Sequence, residues 1–190
     1  CIRVCFHKSQ ALQAVELCRK IKDKGYKVYF QPMVALSYSD AEYLGLIGMA
    51  NKFRPDVFYI VDSHGSMKQK DVARFFYLIE NNLDKEMAVG FLSHNNLQLS
   101  YSNAQYLAAL HTDHNLIIDS SIMGMGRGAG NLNTELFVEY LNETADADYS
   151  TEPILCSIDN TIAPIYLTTS WGYSLSGYLL SLIHISEPTR

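Results

Sequence analysis

Residues 57–96 decide the fold, and they read VFYIVDSHGSMKQKDVARFFYLIENNLDKEMAVGFLSHNN. Val57–Val61 and Ala88–Leu92 are short, uninterrupted apolar runs, which are typical of strands buried on both faces of a parallel sheet. Between them, Lys68–Leu83 carries apolar residues three and four positions apart, the spacing of one helix face. The segment therefore predicts a strand–helix–strand unit with two parallel strands.

The same unit recurs along the chain. Further strands are predicted at Ile2–Phe6, Lys27–Phe30 and Leu116–Asp119, and successive strand centres lie 24 to 32 residues apart. Such a period is typical of repeated βαβ units, which form either an open doubly wound sheet or a barrel. The other predicted helices are Gln10–Lys24, the helix that begins at the Ser39–Glu42 capping box, Leu97–Leu110 and Thr134–Leu141.

The composition argues against nucleic acid and membranes as partners. The 190 residues carry a net charge of −5, with 48% hydrophobic and 18% charged residues. Lys and Arg form no basic run, so nucleic acid is not an expected partner. No apolar run approaches the roughly 20 residues that cross a bilayer, so no membrane partner is expected either. Cys1, Cys5, Cys18 and Cys156 form no CxxC pair, and we interpret them as reduced thiols of a cytoplasmic protein.

Polar residues follow nearly every predicted strand, at the edge where parallel α/β sheets hold their sites. A strand that delivers an imidazole and two carboxamides to one place suits a divalent metal, although a single His there is more often merely hydrogen-bonded. These strand ends are His7, Gln31, Asp62-Ser63-His64, His94-Asn95-Asn96 and Asp119-Ser120-Ser121.

A glycine-rich segment, Gly124–Asn131, lies between the last strand and the last helix of the series. It formally matches the dinucleotide fingerprint G-x-G-x-x-G/A, but no further strand ending in an acidic residue follows, which disfavours a nucleotide. We expect the glycines to let the backbone pass close to a small ligand. Arg127 is then either a clamp for a carboxylate or a solvated loop residue.

Three motifs in order, Asp62-Ser63-His64-Gly65, His94-Asn95-Asn96-Leu97 and Gly124–Asn131, resemble the DRE-TIM metallolyases, most closely the 4-hydroxy-2-oxovalerate aldolases. The resemblance runs from about Ile2 to Asn142 and continues more weakly through Trp171–Ser174. It implies an α/β fold, a partial (β/α)8 TIM barrel with roughly strands four to eight. Residues 1–142 would form the barrel part and 143–179 a C-terminal helical extension.

The resemblance also implies a site for one divalent metal, Mn²⁺ or Mg²⁺. His94 matches the second His of the family's H-x-H metal-binding motif, and Asn131 matches an Asn ligand after the glycine loop. Ser63 matches a serine that holds the pyruvate carboxylate, and Tyr173 matches a tyrosine near the aldehyde end. With Arg127 as the carboxylate clamp, these residues form the expected metal and substrate site.

The chain departs from the family pattern in three places. Leu92 stands where the first His of H-x-H belongs, through either a real loss or a sequencing error. The family's metal-binding aspartate and catalytic residues belong upstream of Cys1, so the catalytic residues are unknown here. Leu180–Arg190 reads like the translation of a sequencing adapter, and we expect 180–190 to be a non-native tail.

These features imply a fragment of a carbon–carbon lyase that is inactive by itself. The parent enzyme would cleave or form a bond beside a 2-oxo acid, giving pyruvate and an aldehyde. An acylating aldehyde dehydrogenase is the implied partner that receives the aldehyde. The alternatives are a Claisen-type acyl-CoA lyase or synthase of the same superfamily, and a non-catalytic barrel that binds a small 2-oxo acid or a protein partner.

Overall fold

A computed structural model describes residues 1–186, with side chains for residues 1–182. Within this range five strands form one sheet, in which every neighbouring pair is parallel and the spatial order equals the chain order. A doubly wound sheet would reverse its order at a switch point. The predicted barrel winding is therefore confirmed. The strands are β1 (Ile2–Phe6), β2 (Val28–Pro32), β3 (Val57–Asp62), β4 (Ala88–Ser93) and β5 (Leu116–Ile118).

Helices connect the strands where the periodicity predicts them. The predicted helix Leu97–Leu110 begins only at Ser100, because Gln98 adopts a left-handed φ of 58° that ends the preceding turn. The strand predicted to end at Phe30 extends to Pro32, which pairs with Phe6 as the last residue of β2. The helices are α1 (Ala11–Asp23), α2 (Asp40–Phe53), α3 (Gln69–Glu80), α4 (Ser100–Ala108), α5 (Thr134–Thr144), α6 (Glu152–Ser157), α7 (Ala163–Tyr166) and α8 (Leu175–Ser186).

All six residues of β3 are buried, because both faces of the sheet are covered. Phe58 and Ile60 join the main core with the helices. Tyr59 and Val61 lie on the opposite face, which we call the inner face, in a smaller cluster. The uninterrupted apolar strands seen in the sequence result from this two-sided burial.

The segment after α5 packs on the glycine-rich loop. Trp171 Nε1 donates to the Met123 carbonyl at 2.8 Å, and Gly172 N donates to the Gly128 carbonyl at 2.9 Å. Helices α6–α8 fall in the segment predicted to be helical, and α8 continues past residue 180. The tail predicted at 180–190 remains a prediction, and its residues 187–190 lie outside the described part. In the described residues no helix is long and apolar enough to cross a membrane.

Candidate active site

A cavity of about 340 Å³ opens at the carboxyl ends of β4 and β5, the edge at which the sequence predicts the site. Residues from β1 and β4, from the segment after β5 and from the glycine-rich loop meet there although they are far apart in the chain. The lining residues are Arg3, Leu92, Ser93, His94, Asp119, Ser120 and Asn131.

The two predicted metal ligands lie side by side in this cavity. His94 and Asn131 form an isolated antiparallel bridge. His94 Nδ1 lies 2.9 Å from the Asp62 carbonyl, and since a carbonyl oxygen only accepts, Nδ1 carries the proton. The lone pair of Nε2 is then available. Asn131 Nδ2 donates to the Met125 carbonyl at 2.9 Å, which orients the amide and leaves Oδ1 as an acceptor.

Leu92 on β4 also lines the cavity, two residues before His94, which directly follows the strand. Its side chain offers no donor atom. Among the described residues no group of three or more His, Cys, Asp or Glu side chains is placed to hold a metal ion. His94 and Asn131 thus fit as two ligands, but the donor set of the described chain is incomplete.

The three predicted substrate residues do not line the cavity. Ser63 directly follows Asp62, and its Oγ accepts a hydrogen bond from Val34 N at 2.8 Å, so its own proton remains to be donated. Arg127 is exposed on the loop, and Tyr173 is 65% exposed before α8. The structure therefore places Ser63 beside the residue that holds His94, and leaves Arg127 and Tyr173 at the surface.

The glycine-rich loop folds tightly against itself. Gly124 and Gly130 both have positive φ, 61° and 80°. A Cβ on Gly130 would lie 2.3 Å from the Gly124 carbonyl oxygen, which accepts a hydrogen bond from Asn131 N at 2.9 Å. These glycines therefore permit the tight turn that delivers Asn131 to His94. Within residues 1–186 no strand follows α5.

Sequence reasoning missed a polar cluster on the inner face. Arg3 on β1 pairs with Asp119, and a second contact, from Nη2 to Oδ1, measures 3.0 Å. The Tyr59 hydroxyl donates to the same Asp119 Oδ1 at 3.0 Å. Arg3 and Asp119 both line the cavity, so the charged pair forms part of its wall. The sequence feature that could have indicated this cluster is Arg3, an arginine inside the short apolar strand β1.

Asp62 anchors the turn that follows β3. Its carboxylate accepts hydrogen bonds from Ser66 N at 3.0 Å and Met67 N at 3.1 Å. Burial nevertheless dominates and raises the pKa of Asp62 to about 6. In the cluster above, the hydrogen bond with Asp119 raises the pKa of Arg3, which stays a cation, while burial raises the pKa of Tyr59, which stays protonated.

The HMGL-like family model matches residues 5–161. The 4-hydroxy-2-oxovalerate aldolase of Pseudoalteromonas translucida is 31% identical over 144 residues, which are 76% of this chain and 41% of that protein. The oxaloacetate decarboxylase of Mycobacterium tuberculosis is 27% identical over 141 residues, 74% of this chain and 40% of that protein. The chain thus spans about two fifths of the length of these relatives.

Solved structures show the same fold. The N-terminal domain of a provisionally named aldolase from Bacteroides vulgatus superposes with a TM-score of 0.82 at 31% identity, covering 95% of this chain and 58% of that one. Hydroxymethylglutaryl-CoA lyase from Pseudomonas aeruginosa gives a TM-score of 0.71 at 13% identity, covering 95% and 67%. At that identity the second likeness concerns the fold alone.

Proposed function

Because the chain belongs to the HMGL-like family, we propose that it is part of a divalent-metal-dependent aldolase acting beside a 2-oxo acid. The reaction would cleave or form the bond between pyruvate and an aldehyde, as the name of the 4-hydroxy-2-oxovalerate aldolase relatives suggests. The observation that carries the proposal is the meeting of His94 and Asn131 at the cavity, where neither Nε2 nor Oδ1 has a hydrogen bond to another of the described residues. Bound Mn²⁺ or Mg²⁺ would supply Lewis-acid polarisation of the 2-oxo group.

In this proposal the residues of this chain bind the ion and the substrate and orient them. His94 and Asn131 would hold the ion, and the Asp62 carbonyl fixes the imidazole tautomer that exposes Nε2. Ser63 would donate its free hydroxyl proton to the substrate carboxylate. Arg127 and Tyr173 would contact substrate only after their exposed segments fold over the cavity.

The remaining ligand and the base that takes the 4-hydroxyl proton are assigned to residues outside this sequence. We accordingly expect the 190 residues alone to be inactive. We also propose that an acylating aldehyde dehydrogenase receives the aldehyde. The protein would be located in the cytoplasm.

The test uses the protein translated from the complete reading frame that contains these residues. With Mn²⁺ present, we expect Leu92→His to raise the rate of pyruvate release from a 4-hydroxy-2-oxo acid by roughly tenfold or more, since a missing ligand weakens metal binding by at least that factor. Leu12→His on the exposed face of α1 is the matched control and should change nothing. Equal activity of the unsubstituted and Leu92→His proteins would contradict the argument that Leu92 stands in place of a metal-binding His.

A second candidate is a non-catalytic barrel that binds a small 2-oxo acid without metal. Leu92 favours it, because an apolar side chain at the cavity wall packs against a ligand instead of holding an ion. Inactivity of both the unsubstituted and the Leu92→His protein, together with measurable 2-oxo acid binding, would support this candidate over the aldolase.

A further inference from the structure

We propose that Arg3 binds a second carboxylate of the ligand, so that the cavity selects 2-oxo acids with an anionic far end over their monocarboxylate analogues. The proposal rests on the proposed function in one respect, namely that a 2-oxo acid occupies this cavity. For an aldolase, the aldehyde product would then itself carry a carboxylate.

The surroundings of Arg3 fix the plane of its guanidinium group. Its central carbon lies 5.3 Å from the ring centre of Tyr29 and 5.4 Å from that of Tyr59, so two aromatic rings pack near the group. Tyr59 is held in turn by its hydrogen bond to Asp119. Cation–π contact of this kind favours a charged, preorganised arginine.

One edge of the guanidinium is used and another is free. Nη1 and Nη2 each donate to a different oxygen of Asp119. A guanidinium carries five N–H donors, so Nε–H and a second N–H on each terminal nitrogen remain. No other hydrogen bond from the Arg3 side chain is formed within the described residues. A remaining Nε–Nη edge has the fork geometry that a carboxylate accepts side-on.

Arg3 is accessible from the cavity. The Arg3 side chain is 40% exposed and lines the cavity wall, whereas that of Asp119 is only 16% exposed. The cavity also contains His94 and Asn131, so polar groups for both ends of a ligand share its wall, with Leu92 to contact the intervening carbons. A volume of about 340 Å³ accommodates a small dicarboxylate.

Asp119 allows the proposal to be distinguished from a purely structural ion pair. Its negative charge holds Arg3 but repels an incoming anion, so removal of that charge should tighten anion binding. If the pair merely ties β1 to β5, the loss of either partner should only destabilise the fold. Tighter 2-oxo acid binding by Asp119→Asn is therefore expected from the proposal and not from a purely structural ion pair.

The experiment is calorimetric titration of the 190-residue chain with 2-oxoglutarate and with 2-oxovalerate, which differ only in a carboxylate against a methyl at the far end. We expect 2-oxoglutarate to bind about tenfold more tightly or better, the effect of one charge-assisted pair of hydrogen bonds. Arg3→Lys, which keeps the charge but loses the fork, should remove most of that preference. Asp119→Asn should increase it, and Arg19→Gln on the exposed face of α1 should leave it unchanged.

Equal affinity for the two acids, no binding of either, or weaker 2-oxoglutarate binding by Asp119→Asn would overturn the proposal. Circular dichroism of each variant establishes folding, and if Arg3→Lys does not fold, the sign of the Asp119→Asn effect decides. Binding of both acids without preference overturns the role of Arg3 and leaves the proposed function standing. Failure of the proposed function would appear separately, as absent pyruvate release by both the complete protein and its Leu92→His variant.

Discussion

Asp62 shows how burial of one carboxyl group should govern the pH dependence of stability. Its pKa is raised from 3.8 to about 6 by desolvation, against the hydrogen bonds from Ser66 N and Met67 N. The folded state therefore binds the Asp62 proton more tightly than the unfolded state does. By linkage, this group's contribution to stability is present below pH 3.8 and is lost as the pH rises through about 6.

In the unsubstituted protein, the shift of the Asp62 pKa from 3.8 to about 6 should lower the free energy of unfolding by about 3 kcal/mol between about pH 3 and pH 7, at about 1.36 kcal/mol per pKa unit. We predict that Asp62→Asn removes this fall. Urea unfolding at several pH values measures it. Asp23→Asn at the exposed end of α1 is the control, since Asp23 does not share the buried environment. An unchanged pH profile for Asp62→Asn would mean that Asp62 titrates normally.

At the residue scale the sequence predicted only part of the site. His94 and Asn131 could be singled out because each belongs to a motif readable along the chain. Arg3 and Tyr59 could not, because their relation to Asp119 joins residues up to 116 positions apart across the inner face. Gly90 depends on the same packing: a Cβ there would lie 2.4 Å from the Tyr59 ring. No local pattern encodes such contacts.

At the level of elements, the start of α2 offers the clearest local test. Ser39 Oγ accepts from Glu42 N, and the Glu42 carboxylate accepts from Ser39 N at 2.9 Å. The ion pair with Lys8 and these bonds to Ser39 hold the pKa of Glu42 at about 2. The capping box predicted from the sequence is therefore formed.

We expect Ser39→Ala to lower the free energy of unfolding by about 1 kcal/mol, the usual contribution of a serine N-cap. Ser102→Ala on the exposed face of α4 removes a serine without removing a cap, and should have a smaller effect. Chemical denaturation compares the two variants. Equal losses would show that the Ser39 cap contributes nothing specific.

The elements themselves were predictable because hydrophobic periodicity is local, whereas their ends depended on backbone geometry. α4 begins later than predicted because Gln98 adopts a left-handed conformation, which its residue type does not indicate. The glycine-rich loop could be recognised from its composition, but its path could not. Its glycines relieve contacts between Gly124 and Gly130, a closure that only the three-dimensional path reveals.

For the whole molecule, the repeat period limited the fold to a doubly wound sheet or a barrel, and the motif order favoured the barrel. Because β1 to β5 lie side by side in chain order, the sheet has the winding of a barrel. Arg3 on one edge strand and Asp119 after the other meet over the inner face, so the sheet curves strongly enough to bring its two edges within reach. Strand curvature of this kind follows from packing and is absent from any single segment.

Calorimetric titration with Mn²⁺ tests the central claim most directly, namely that His94 and Asn131 are two ligands of a metal site whose next ligand is missing at Leu92. The 190-residue chain should show no saturable binding in the micromolar range, because two protein ligands are too few for a dedicated site. Leu92→His should gain at least about tenfold in affinity, since the new imidazole would line the same cavity as His94. Tight, stoichiometric binding by the unsubstituted chain, or no gain in Leu92→His, would contradict the account.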